Sequence, residues 1–396
     1  MPPKKKVAAK PTETETVLES PAQTALAAPS GNPTEVFTLL QEAVAGNAAA
    51  INEHVPQLLE LVHTAERPDT PLLLRVRFLE FVSRVVADLR DSSALQKIVT
   101  SLVHVIGGDD NTPQLLTAAL NSFVGLGPVS MMDKKWEYLS CEGSDILMQV
   151  MLDKEAFPEP ARRAAATALD ALVSTAFKSV IKKLVHWISD EREDDDPEQL
   201  QRERQLAVTR LTRMVTSATY RAHWTEELQS EVLDLIQRVL GTVDAREFTQ
   251  LVRIVSHLPI CKERHGVPLL ELFLSKYDLN SERHLESVTI IGRYVKEGAE
   301  FDLLPYLEKS KLLAKPLGSD AHAVLLSRLV LLATRVATSD NAELLFEYVF
   351  GQLSALVGTD EALPDNLSVV EALLLAATNI ARKSRPRCCT SSTRTP

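Results

Sequence analysis

His257, Cys261 and His265 are the residues whose types and spacing come nearest to a metal site. Imidazole and thiolate suit zinc, and intervals of four would place all three on one face of a continuous helix. Pro259 interrupts that helix and no fourth ligand stands nearby. The set therefore reads as a cysteine on a packed turn with two partly exposed histidines, and no metal and no cofactor are expected. Other chemistry is thinner still. No P-loop, GxGxxG, GxSxG or HExxH occurs. "GGDDN" from Gly107 lacks the spaced oxygen ligands and closing Glu of a calcium loop and reads as a turn, while Gly125 and Gly127 read as a helix stop before Pro128. Paired acids such as Asp109 and Asp110 have no base set opposite them. No catalytic residue is assigned; the chain reads as a non-enzyme without a small-molecule substrate. Trp136, Trp187 and Trp224 stand apart, which suits packing between helices better than a stacking platform for single-stranded nucleic acid.

Basic side chains are the remaining candidates, and they recur in a frame of about forty residues, the period of stacked helical hairpins. The clearest copies are "ILMQVMLDKEAFPEPARRAAATALDALV" from Ile146 and "LVHWISDEREDDDPEQLQRERQLAVTRLTRMV" from Leu184. In each, an apolar helix ends at an Asp (Asp153, Asp190), a polar loop follows, and a second helix opens with basic residues, Arg162 and Arg163 or Arg202 and Arg204. Ile146, Leu147, Val150 and Met151 share one helical face, as do Ala164, Ala165, Ala168, Leu169 and Leu172. Neither helix hides its stripe alone, so each pair must stack on the next. The inter-helix Asp could accept from amides at a helix start or from an Arg of a neighbouring repeat. Lys178, Lys182 and Lys183 with Arg162 and Arg163 could form a basic ridge, or an ordinary solvated face. Arg162, Arg163, Lys183, Arg202 and Arg204 are the candidate partner contacts, with internal ladder pairing as the alternative role for the same residues.

Composition points the same way. Of 396 residues 45% are hydrophobic, 5% aromatic and 14 are Gly, which suits a large Leu/Ala/Val core without the turn density of a β protein. The net charge of -10 argues against a chain-wide nucleic-acid clamp. The 4 cysteines, with Cys388 and Cys389 adjacent, give no disulfide framework and suit a reducing compartment. No apolar run is long enough for a membrane span; that from Ala323 is broken by Arg328 and Arg335.

The expected fold is all-α: a right-handed HEAT/ARM-like superhelix of about eight helix pairs, on the order of 80 Å long. Its second helices fall near Arg75, Leu120, Arg163, Arg204, Arg246, Arg283, Arg328 and Val370. Residues 1–33 read as a disordered arm, 34–220 as HEAT-like repeats, 221–383 as ARM-like repeats and 384–396 as a disordered basic tail. "MMDKKWEYLSCEGSD" from Met131 reads as an irregular insertion. Pro259 should end a helix, with Gly266 and Pro268 opening the next. Lys4, Lys5 and Lys6, and Arg382, Lys383, Arg385 and Arg387, are candidate nuclear-import clusters; a solubilising terminus and a cationic helix end are the alternatives.

From about 184 to 385 the order of segments resembles the apoptosis inhibitor 5 family, on "RERQLAVTRLTRMV" at Arg202, "EELQSEVLDLIQRVLGTVDAREFTQLVRIVSHLP" at Glu226 and "NLSVVEALLLAATNIARKSRP" at Asn366. The resemblance implies a non-enzymatic nuclear scaffold, with some cytoplasmic presence, that restrains apoptosis through protein partners such as the chromatin-condensation factor acinus. RNA association would be indirect. The family also binds a fibroblast growth factor, which is not expected to carry over here. It continues into a leucine-zipper-like helix, a Lys-rich import signal and an Arg/Gly-rich tail, where this sequence reads "RCCTSSTRTP". Contacts that depend on those elements are not carried over. The alternative is a helical-repeat adaptor in nuclear transport or RNA processing.

Overall fold

The computed structural model describes residues 32–108, 112–132, 137–189, 196–314, 317, 320–357 and 366–383. Outside them lie the N-terminal arm with Lys4, Lys5 and Lys6, the acids of the "GGDDN" turn, Trp136, Asp190, and the tail with Arg385 and Arg387. The described chain is helical, with short 3-10 turns and no strand. The first helices are α1 (Pro33–Val44), α2 (Val55–Glu66), α3 (Leu72–Val85), α4 (Ser92–Gly107), α5 (Pro113–Met132) and α6 (Glu137–Leu152). Next come α7 (Glu159–Thr175), α8 (Phe177–Ser189), α9 (Pro197–Thr216), α10 (Glu226–Val239), α11 (Ala245–His257) and α12 (Pro259–Glu263). The last are α13 (Val267–Leu274), α14 (Glu282–Gly292), α15 (Leu304–Lys309), α16 (Ala321–Val336), α17 (Ser339–Val357) and α18 (Leu367–Lys383).

A helix stands at each of the positions expected for a second helix, namely α3, α5, α7, α9, α11, α14, α16 and α18. Packing is local in sequence. The helix α5 lies between α3 and α7, α16 lies between α14 and α18, and the other layer runs from α2 to α4 and from α6 through α8 to α10. This is the arrangement expected when every amphipathic helix covers its stripe with its neighbours, and it is compatible with an α-solenoid. Leu147 and Val150 of α6 are buried as the periodicity requires, with Met148 also inside and Ile146 and Met151 at the margin. In α7, Ala165, Ala168, Leu169 and Leu172 are buried, Ala161 joins them, and Ala164 is half-buried.

Helix starts follow local rules. Asp91, Asp196, Thr225, Asp244, Ser281 and Asp320 each accept a hydrogen bond from a backbone amide one to three residues inside the helix they open. Pro259 opens α12 after α11 has stopped, and Gly266 opens α13 at a φ of +86°. That backbone favours glycine, and a Cβ there would also meet the Tyr294 carbonyl oxygen at 2.6 Å. Asp153 does not cap the helix after it; its Oδ1 accepts from Glu155 and Ala156 within the loop.

Two expectations fail, both around α5. The helix does not stop before Pro128 but runs through Gly125, Gly127 and Pro128 to Met132. These glycines let helices touch. A Cβ on Gly125 would lie 2.7 Å from the Ser83 carbonyl oxygen on α3, and one on Gly127 would lie 2.1 Å from Thr175 Oγ1 at the end of α7. The supposed insertion is largely the regular helix α6. Its buried face holds Ser140, Gly143 and Ser144 besides Leu139 and Leu147, and Gly143 sits against Phe123. Small polar residues let α6 approach α5, and they erase the apolar period that marks a helix in sequence.

Polar contacts knit the stack at the repeat spacing. Trp187 Nε1 donates to Asp145 from 42 residues away at 2.6 Å, Ser122 reaches the Leu79 carbonyl across 43, and Arg210 pairs with Asp170 across 40. Cationic side chains also reach the last carbonyls of other helices. Arg75 donates to Ala65 at the end of α2 at 2.8 Å, Arg204 to Ile188 at the end of α8 at 3.0 Å, and Lys276 to Gln237 and Arg238 at the end of α10. Arg335 donates to Gly292 at the end of α14, and Lys383 donates to Arg335 and Ala337 at the end of α16. A terminal carbonyl has no partner in its own helix, so each contact satisfies a group that burial would otherwise penalise.

Two outcomes follow in urea denaturation. Gly127→Ala should lower stability by about 1–3 kcal/mol through overpacking, and adding Thr175→Ala should restore part of the loss. Lys383→Met should cost about 1–3 kcal/mol and raise amide exchange in the last turn of α16, because two carbonyls lose their donor. The exposed neighbour Arg382→Met should stay within about 0.5 kcal/mol of the parent.

Candidate interaction surface

The five residues assigned as partner contacts do not form one patch with one role. Arg162 and Arg163 open α7 and share Glu159: Arg163 Nε lies 2.8 Å from Glu159 Oε1, and Arg162 pairs with Oε2. These bonds, that from Arg163 first, hold the Glu159 carboxyl below its usual range. The Arg163 side chain is 79% exposed and that of Arg162 only 22%. Lys183 on α8 is tied to Asp145 of α6 at 3.0 Å. Arg204 bridges three helices, donating to the end of α8 and pairing with Glu247 of α11 at 3.4 Å. Arg202 is exposed, and among the described residues its acceptor is the Glu198 carbonyl of its own helix at 3.2 Å.

Acids from other helices answer the basic ridge. Lys182 lies 3.3 Å from Glu137 of α6 and 3.2 Å from Glu231 of α10, and Lys178 lies 3.8 Å from Glu231. Burial lowers the Lys182 pKa, but its bonds to Glu231 and Glu137 outweigh that and leave it raised. Lys182, Lys183, Asp145, Trp187 and Cys141 line a cleft of about 640 Å³ between these helices. Burial also raises the Cys141 thiol, as do Glu137 and Glu142, against the pull of Lys183 and Lys182. Its charges are already paired across helices, so the cleft is a structural seam, and its thiol is held protonated rather than activated.

Further on, Asp170 of α7 takes Arg210 at 3.0 Å and Arg213 at 3.2 Å, both from α9. Here an Arg does reach an Asp of the neighbouring repeat, but the acid stands inside the second helix and not at the loop. In the candidate import cluster, Arg382 is exposed while Lys383 is spent on α16; burial lowers its pKa and the nearby Glu300 opposes that. Nothing in the sequence marks Lys383 apart from Arg382, since the difference lies in carbonyls 46 and 48 residues upstream.

Among the described residues no group of three or more His, Cys, Asp or Glu side chains could hold a metal ion. His257 ends α11, Cys261 is buried in α12 and His265 stands in the following turn. Burial pushes the Cys261 thiol up to about 12, the reverse of what a thiolate ligand requires. Burial, then Lys262 and Arg253, lowers the His257 pKa. Trp187 and Trp224 are both buried between helices. No helix among the described residues is long and apolar enough to cross a membrane.

Comparison with known proteins adds one decisive match. Residues 137–393, from the start of α6 past the end of α18, match the family model described as apoptosis inhibitory protein 5. No curated protein matches. Among solved structures, the crystal structure of an engineered protein aligns with 89% of this chain and 99% of its own at 12% identity, with a TM-score of 0.29, a likeness too slight to argue from. The family model covers well over half of the chain and contains every segment on which the sequence resemblance rests, and on that match the chain belongs to the apoptosis inhibitory protein 5 family.

Proposed function

We propose that this chain is a non-enzymatic nuclear scaffold that restrains apoptosis by holding protein partners. The family match over 137–393 carries the reading. The stacked helices support it, since an elongated helical array offers a long surface built from exposed second-helix side chains. On this reading about eight pairs wind into a right-handed superhelix, HEAT-like over 34–220 and ARM-like over 221–383. Partners are proteins, an acinus-like nuclear protein among them, and any RNA association passes through them.

Exposure narrows the proposed contacts. Arg163, although paired with Glu159 of its own helix, and Arg202 stay exposed to solvent, whereas Arg162, Lys183 and Arg204 are largely covered and held in ion pairs or at helix ends. Arg163 and Arg202 are the contacts on this reading, and Arg204 is part of the frame.

The test has a cellular and a molecular arm. Depleting the protein should raise caspase activity after a death stimulus, and re-expression should reverse the rise; unchanged caspase activity would reject apoptosis restraint. Affinity capture from nuclear extract with the full chain should recover protein partners. Transport factors or RNA-processing machinery without any apoptotic regulator would favour the adaptor reading instead. Arg163→Glu with Arg202→Glu should weaken capture and leave the unfolding midpoint unchanged. Arg204→Glu should lower that midpoint, with a loss of unfolding free energy of about 1–2 kcal/mol, less than a fully buried pair would cost because Arg204 is partly solvated.

A further inference from the structure

Several cationic side chains of the second helices are tied to other helices, as for Arg75, Arg204, Arg210 and Arg283, whereas Arg77, Arg246 and Arg253 are exposed with no ion pair or side-chain hydrogen bond among the described residues. Arg293, just past α14, and Arg328 on α16 are of the second kind, but these two share a groove. Both are exposed, and neither side chain has an ion pair or hydrogen bond among the described residues. They line one groove between α14 and α16 together with Arg335, Leu331 and Leu332. Arg335 is fixed there by Gly292, while its Nε is buried without an acceptor. A Cβ on Gly292 would lie 3.0 Å from Leu332 Cδ2, so the absence of a side chain lets α16 close over α14 and gives the groove an apolar floor.

The size and charge of the groove limit what can occupy it. Its volume is about 260 Å³, below the roughly 300–1,000 Å³ typical of small-molecule pockets, which leaves room for a side chain or two of a peptide laid along the surface. Two unpaired guanidinium groups beside apolar carbon suit carboxylates flanking an apolar residue, while the third, on Arg335, is held by Gly292 and lies in the field of Glu297. The chain as a whole carries a net charge of -10. A long polyanion such as RNA would have to run past that acidic remainder, whereas a short acidic segment need meet only the groove.

We propose that the groove between α14 and α16 docks a short acidic peptide segment of a partner protein, with Arg293 and Arg328 pairing its carboxylates and Leu331 and Leu332 receiving an apolar side chain between them. The biological meaning of the site rests on the scaffold reading; its chemistry does not.

The probe is a fluorescein-labelled peptide in which glutamates flank a central leucine, with a glutamine counterpart, titrated by anisotropy against the full chain. The glutamate peptide should bind, more weakly as salt rises, and the glutamine peptide at least tenfold more weakly. Arg293→Glu with Arg328→Glu should cost at least tenfold without moving the unfolding midpoint, Lys154→Glu should change nothing, and a peptide with arginines in place of glutamates should regain binding to the reversed variant. Equal binding of both peptides, no binding of the glutamate peptide, or indifference to the reversal would overturn the site. Tighter binding of a single-stranded RNA oligonucleotide to the same residues would overturn the peptide assignment. Absence of peptide binding to the parent chain while nuclear capture persists would remove the groove and leave the scaffold reading standing; peptide binding without nuclear capture would do the opposite.

Discussion

When helices stack side by side, the last carbonyls of each one are buried before its own backbone can satisfy them, and in this chain cationic groups from other helices meet that demand. Arg75 serves α2, Arg204 serves α8, Lys276 serves α10, Arg335 serves α14 and Lys383 serves α16. A buried carbonyl left without a donor costs about 1–3 kcal/mol, and a cation at a helix C-terminus is favoured by the helix dipole as well. Each contact therefore fixes two things, the end of one helix and the position of another relative to it. The donors of α14, α16 and α18 link a run of elements with separations of 40 to 48 residues, which is the sequence period seen as geometry.

Close approach is the complementary constraint. Arginine contacts hold helices at their ends, whereas Gly125, Gly127 and Gly143 hold α3, α5, α6 and α7 together along their lengths. The two devices alternate along the chain. The helices α7 and α9 are joined by two arginines on Asp170, and from α14 onward both devices meet at Gly292, whose carbonyl takes Arg335 and whose missing side chain admits Leu332. A solenoid of nearest-neighbour interfaces needs each junction to be specified separately, because no central core fixes them all at once.

This explains what could be read in the sequence. The helices at the eight marked positions were legible because amphipathic periodicity is a property of each segment alone, and the breaks at Pro259 and Gly266 were legible because they follow from backbone restrictions at single residues. The misreadings at Gly127 and across α6 come from close packing, where a glycine that looks like a stop and serines that look like loop are defined by what lies against them: Thr175 in the first case, Phe123 in the second. The site is harder for the same reason. Arg202 and Arg204 are two residues apart on one helix, and only the Ile188 carbonyl and Glu247 separate a structural arginine from a solvent-facing one.

It follows that basic residues in such a chain cannot be weighed by clustering alone. Lys178, Lys182 and Lys183 look like a patch in sequence, but Glu137, Asp145 and Glu231 answer them from adjoining helices. Arg293 and Arg328 are isolated in sequence, yet they line one groove, and neither is ion-paired among the described residues although Glu297 acts on the adjoining Arg335. In a protein with an excess of carboxylates, an unanswered cation is harder to leave than a paired one, since some acid could have been placed beside it. A guanidinium left unpaired over an apolar floor retains its capacity for a bidentate contact, and that capacity is useful only when the carboxylate comes from another molecule.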